Sequence, residues 1–251
     1  YDTAIKMGST YFDNKKKELV LLLCEKNLDT IIAYLACLFS NKVPILIDNS
    51  SPINIIAQYA YKYKPNYIIG NTPFSIDGYQ KCFAESKKKI GLIRSTEIGI
   101  DIYEDLSLLL TTSGSTGSPK LVRYSQHNII AATDAICRYL AISSEARSVT
   151  LLPFQYSFGL SVLHNVIFSK SELFITDKSV LDRTLWADLE KFSITDYSLV
   201  PNQIELVQRM RFAYPTLRKS SRIMQAGGKL ADTKISKMLE ILEGSDVKDF
   251  T

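Results

Sequence analysis

The chain has 251 residues, 46% of them hydrophobic and 22% charged, with a formal net charge of +4. That length suits one large domain or two small ones, and the balance is that of an ordinary soluble globular protein. So small a charge gives no case for nucleic acid, and no nucleic-acid-binding motif is present.

The first third alternates strand and helix. Residues 19–23 are a continuous apolar run, suited to a strand buried on both faces. Residues 28–39 read as a buried helix opened by Asp29 and Thr30, and no apolar run reaches the length of a membrane span. A strand over 43–47 ends at Asp48, a helix over 53–63 is stopped by Pro65, and a strand over 67–69 ends at Gly70. This order implies right-handed crossovers and a mostly parallel sheet. Residues 71–104, mixed and polar with a lysine run, read as a connection between two α/β subdomains, 1–104 and 105–251.

A strand over 106–110 leads into a Ser/Gly-rich segment, and a second strand over 121–124 follows it. A helix is expected to begin near Asn128, a good N-cap, with Ile129, Thr133, Ile136 and Leu140 on its apolar face. Strands are then expected over 149–152, 173–176, 197–200 and 223–225. The helices expected between and after them cover 159–168, 184–192, 202–212 and 232–242.

The four cysteines, Cys24, Cys37, Cys82 and Cys137, are widely spaced with no Cys-x-x-Cys pair. They read as reduced thiols of a cytoplasmic protein rather than a disulfide set or zinc ligands. The two histidines, His127 and His164, are far apart and suggest no metal site or catalytic triad; His164 lies in an apolar helix and reads as packed. The runs at 15–17 and 87–89 read as solvated lysines. No signal peptide is visible and no initiator Met is present, so an upstream portion is expected.

The segment between the two central strands carries the chemistry. It reads Thr112-Ser113-Gly114-Ser115-Thr116-Gly117-Ser118-Pro119-Lys120. Glycine lets backbone amides come close to an anion, hydroxyls donate to phosphate oxygens, and Lys120 supplies charge. A P-loop NTPase would place Gly-Lys-Ser/Thr at the start of a helix. Here lysine follows proline, and a strand follows the lysine.

This loop resembles, nearly residue for residue, the phosphate loop of the adenylate-forming superfamily: acyl-CoA synthetases, adenylation domains of peptide synthetases and luciferases. Leu121 stands where the family usually has glycine, and Gln126 where its next motif has histidine. Segments 37–48, 152–160 and 225–230 agree with further family motifs in order and spacing, so the resemblance covers nearly the whole chain.

The resemblance implies an α/β large N-terminal domain that binds ATP with Mg2+. Such an enzyme activates a carboxylic acid to an acyl-adenylate and transfers the acyl group to coenzyme A or to the phosphopantetheine of an acyl carrier protein. It assigns Thr112, Ser113, Gly114, Ser115, Thr116, Gly117 and Lys120 to the phosphates. Ala226, Gly227 and Gly228 fall in the segment that lies along the adenine; a simple strand–helix turn at the two glycines is the lesser alternative. Gln155, Tyr156 and Gly159 fall in the motif beside the acyl substrate, and Tyr156 could instead be a packed tyrosine.

Gln155 stands where amino-acid-activating relatives carry aspartate, so an acid without an α-amino group is expected. The family's later threonine–glutamate motif, its ribose-binding aspartate and its C-terminal lysine are expected beyond residue 251, leaving this piece inactive alone. The alternative is a non-catalytic nucleotide-binding or scaffolding module that keeps the fold.

Overall fold

The computed structural model describes residues 1–12, 16–70, 75–86, 89–94, 101–111, 120–245, 247 and 249–250, with backbone alone for 81–94. Two sheets flanked by helices are present, one in each of two compact units, Tyr1–Ala131 and Ala132–Thr251; most strand pairs are parallel, and the antiparallel ones lie in the first sheet.

In the first unit, β1 (Glu18–Cys24), β2 (Lys42–Asp48) and β3 (Tyr67–Gly70) are parallel, with β1 in the middle. Leu19, Leu21 and Leu23 join Val43, Ile45 and Ile47 in one core cluster that also holds Ile56 and Ala60. The intervening Val20 and Leu22 are just as buried, which is why the apolar run has no gaps. Each such side chain contributes about 1.5–3 kcal/mol through burial. Helices α2 (Leu28–Phe39) and α3 (Ile53–Tyr63) have the bounds expected from sequence. Asn27 caps α2 by accepting from the Thr30 amide at 2.9 Å, and Lys64 ends α3 in the left-handed region just before Pro65.

Two elements of this unit depart from expectation. Residues 71–104 contain an antiparallel hairpin, β4 (Tyr79–Ser86) and β5 (Lys89–Arg94), added to the sheet through β3. The outer strand β4 is rich in polar residues, Lys81 among them, as edge strands are, so the composition of the segment resembled that of a loop. The N-terminal helix α1 (Asp2–Tyr11) has Gly8 at its centre and little intrinsic propensity. A side chain at Gly8 would meet Ser40 Oγ at 2.2 Å, so α1 rests tightly on the end of α2, and packing rather than propensity forms it.

The same sheet continues with β6 (Leu106–Thr111), parallel to β2, and β7 (Leu121–Ser125), antiparallel to β6. Helix α4 then starts at Gln126 and runs to Tyr139, so Asn128 is not its cap. Ser125 is: its Oγ accepts from the Asn128 amide at 3.1 Å, while the Ser125 amide donates back to Asn128 Oδ1 at 3.2 Å. This reciprocal pair is a capping box with asparagine at the third helical position.

The second sheet is wholly parallel, in the order β12 (Asp249–Phe250), β11 (Arg222–Gln225), β10 (Asp196–Leu199), β8 (Arg147–Val149), β9 (Glu172–Phe174). Helices α5 (Ser157–Ser169), α6 (Arg183–Lys191), α7 (Pro201–Val207) and α9 (Asp232–Leu242) connect or follow these strands. The single helix expected over 202–212 ends at Val207; a 3-10 turn, Arg211–Ala213, and a short α8, Tyr214–Arg218, follow it. The Tyr214 hydroxyl donates to the Gln208 carbonyl at 2.7 Å across that break.

Register divides the sheet's two faces. Val149, Tyr197, Leu199 and Ile223 enter the main core with Leu185, Trp186 and Leu189. The alternate residues Ser148, Asp196, Ser198, Arg222 and Met224 share the other face, because Asp196 pairs with both Ser148 and Arg222, and Ser198 with Met224.

Candidate active site

The register of β6 and β7 places Thr111 directly beside Leu121. The phosphate-loop segment thus joins two adjacent strands at the carboxyl end of β6, the same edge at which β1 and β2 end. Thr112, Ser113, Gly114, Ser115, Thr116 and Gly117 themselves lie outside the described residues. Lys120 is described, exposed, immediately before β7.

In the second unit the chain runs from β8 through α5 to β9, then crosses back through α6 to β10 on the opposite side of β8. The carboxyl ends of β8 and β10 therefore flank a topological switch point, where open parallel sheets leave a crevice for ligands. Gln203 braces that crevice: its side chain accepts from the Val200 amide at 3.1 Å and donates to the Leu151 carbonyl at 3.3 Å. Sequence reading missed this residue, since nothing local marks a glutamine that bridges two strand ends.

After β11, Ala226, Gly227 and Gly228 form an exposed turn. Gly227 has φ +85°, and a side chain there would approach Val200 at 3.2 Å, so both conformation and the neighbouring strand end favour glycine. Gln225 Nε2 donates to the Gly228 carbonyl at 2.8 Å and closes the turn.

The motif after β8 separates in space. Gln155 is buried, whereas Tyr156 is half exposed at the N-cap of α5. A Cβ on Gly159 would lie 2.1 Å from the Pro153 carbonyl oxygen, so α5 sits directly on the backbone of the preceding loop. Packing alone accounts for glycine at that position.

A cavity of about 400 Å3 lies between α4, α5 and the polar-bearing sheet face. Its lining from α5 is Phe158, Ser161, Val162 and Asn165, spaced three and four residues apart along one helical face. Ser148, Ser198 and Met224 line it from three successive strands, and Gln225 and Ala226 border it at the carboxyl edge. Ala226 is thus the one sequence-selected residue at this cavity; Gln155, Tyr156 and Gly159 do not line it. The helical spacing was readable in the sequence, but the strand contribution needed the register.

Burial holds His164 well below its ordinary value of 6.5, at about 4. The unfolded chain binds that proton more readily than the folded one. Stability attributable to His164 is therefore complete above pH 6.5 and is lost as pH falls through 4, by about 3 kcal/mol. Urea unfolding across this range should show a shallower acid loss for His164→Gln than for wild type; parallel curves would refute the assignment.

Cys24, Cys37 and Cys137 are buried and in no disulfide, and burial raises the last two thiols above the ordinary thiol range. Among the described residues no group of three or more His, Cys, Asp or Glu is placed to hold a metal ion, and no helix is long and apolar enough to cross a membrane.

Residues 12–248 match the family of AMP-binding enzymes. The chain belongs to that family of adenylate-forming enzymes. A D-alanine–D-alanyl carrier protein ligase of Listeria welshimeri is 24% identical over 60% of this chain and 31% of its own length. An acyl-CoA synthetase of Gibberella moniliformis is 30% identical over 51% of this chain and 23% of its own. The chain therefore spans under a third of the length of these relatives. The structure of an O-succinylbenzoate coenzyme A synthetase from Bacillus subtilis, in complex with AMP, aligns over 95% of this chain and 62% of that one, with TM-score 0.72 and 15% identity. These relatives of the AMP-binding family are ligases, and the last shares the fold described above.

Proposed function

We propose that the protein to which this chain belongs uses ATP to convert a carboxylic acid to an acyl-adenylate and passes the acyl group to a thiol. The observation that carries this reading is the family match over nearly the whole chain, with the Thr112–Lys120 loop set between paired strands. In the reading, Thr112, Ser113, Gly114, Ser115, Thr116 and Gly117 hold the β- and γ-phosphates, and Lys120 neutralises charge on the departing pyrophosphate. Ala226, Gly227 and Gly228 lie along the adenine. Magnesium accompanies the triphosphate; the described residues supply no cluster of ligands for it.

The acid lacks an α-amino group, because Gln155 presents no carboxylate to an ammonium. Tyr156 and Gly159 belong to the same acyl-side motif, with Tyr156 flanking the carboxylate. The acceptor is coenzyme A or a carrier-protein phosphopantetheine; of the three relatives named above, one names a carrier protein and two name coenzyme A or its acyl ester. Buried cysteines outside any disulfide fit a cytoplasmic setting.

Lys120→Ala in the full-length protein is expected to lower ATP–pyrophosphate exchange by about 10- to 150-fold, the equivalent of losing one charged hydrogen bond of about 1.5–3 kcal/mol. Unchanged exchange would remove Lys120 from the reaction. No exchange by wild type with any carboxylic acid, α-amino acids included, would favour a non-catalytic module.

A further inference from the structure

The cavity between α4, α5 and the second sheet is mostly apolar, with a few polar side chains set into it. Ile136, Leu140, Phe158, Val162 and Met224 make much of its wall apolar, while Ser148, Ser161, Asn165, Ser198 and Gln225 bring polar side chains to it. Asn165 is 7% exposed, and its Oδ1 has no hydrogen-bond partner among the described residues. Its backbone carbonyl, by contrast, is well used, accepting from Ser169 Oγ at 2.7 Å. A buried acceptor without a donor is costly, and a leucine would fill this helical position at no such cost. The volume is more than ten times the roughly 30 Å3 share of one water molecule, so solvating the amide does not account for the space.

The cavity also has direction. It borders Gln225 and Ala226 at the carboxyl edge of the sheet and extends back to Ser148 and Ser198 within the strands. An acid whose carboxylate lies at that edge would send its far end toward the polar interior.

Resting on the adenylation reading above, we propose that this cavity receives the distal part of the acid and that Asn165 selects for a hydrogen-bond donor there. The favoured substrate class is an acid of moderate size with an apolar body and a hydroxyl or amide N–H remote from its carboxylate. Asn165 Oδ1 accepts from that group, and the hydroxyls of Ser148 and Ser198 complete its surroundings. A site built around a hydrogen bond rejects the analogue that lacks the donor far more strongly than an apolar wall distinguishes one methylene.

Two matched pairs of probes test this on the full-length protein: para-hydroxyphenylacetate against para-methylphenylacetate, and ω-hydroxyhexanoate against heptanoate. Pyrophosphate release should give kcat/KM about tenfold or more higher for the hydroxyl member of at least one pair. Isothermal titration with a non-hydrolysable ATP analogue present should show the same order of affinity. Asn165→Leu should abolish or invert the preference, while Asn165→Asp, which keeps an acceptor, should retain it. Equal use of both members by wild type, or a preference untouched in Asn165→Leu, overturns the inference and leaves adenylation standing. Exchange supported only by donor-free acids across a wider panel overturns it in the same way. Absence of exchange with every acid overturns both.

Discussion

Arg222→Met is expected to destabilise the second unit by about 3–5 kcal/mol. Arg222 Nε is bonded to Asp196 Oδ1 at 2.5 Å, and the carboxylate is only 1% exposed. The same guanidinium donates to the carbonyls of Leu140 and Ala141, which directly follow α4, at 3.3 and 3.2 Å. Asp196 is held from its other oxygen by the Thr195 hydroxyl, which also accepts from the Arg147 amide at 2.9 Å. Methionine fills similar volume but leaves a buried carboxylate and two carbonyls without their donor. Surface pairs do not behave in this way: Arg138–Asp134, with the arginine 79% exposed, should be worth only about 0.3–0.5 kcal/mol.

Thermal unfolding of the purified full-length protein should show the transition of this unit lowered by on the order of 10 °C. A double replacement, Asp196→Leu with Arg222→Met, should recover much of the loss, because no charge is then stranded. An unaltered transition in Arg222→Met would show that the network is not what holds α4 to β11. Since α4 and Met224 wall the cavity, the single variant should also weaken acid binding before it unfolds.

Lys42→Met should cost about 3 kcal/mol or more in the first unit, for a related reason. The Lys42 side chain is fully buried and its ammonium contacts Glu18 Oε2 at 2.7 Å and the Lys16 carbonyl. Glu18 and Lys42 face each other in the parallel register of β1 and β2, and Asn66, at the entry to β3, donates to the other Glu18 oxygen at 3.2 Å. The cluster therefore ties the amino ends of three adjacent strands. Burial shields it from salt, so the loss should be nearly the same in low and high ionic strength. Urea denaturation at two salt concentrations measures both points. A small loss that disappears in high salt would assign the pair to the surface class instead.

Much of the architecture was legible because its signals are local. The apolar run at 19–23, the cap and punctuation around α2, and Pro65 after α3 each act within a few residues, and the structure reproduces those elements. The segment between β6 and β7 stands out for the same reason: glycine, hydroxyls and lysine are contiguous in the chain, and the flanking strands are present where the sequence puts them. Elements whose stability comes from partners were not legible. The β4–β5 hairpin is stabilised by pairing with β3, and α1 by its close seat on α2 at Gly8. The Asn128 cap was misread because Ser125 and Asn128 exchange roles in a capping box that either residue could have begun.

The sequence by itself determined the family and most of the strand–helix order, because both are written in neighbouring residues. Only the tertiary structure decided that Ser148, Ser198 and Met224 share one face with Asp196 and Arg222, and that Asn165 faces them across a cavity. Those residues are far apart in the chain. Strand register, a property of paired backbones rather than of any one segment, is what brings them together.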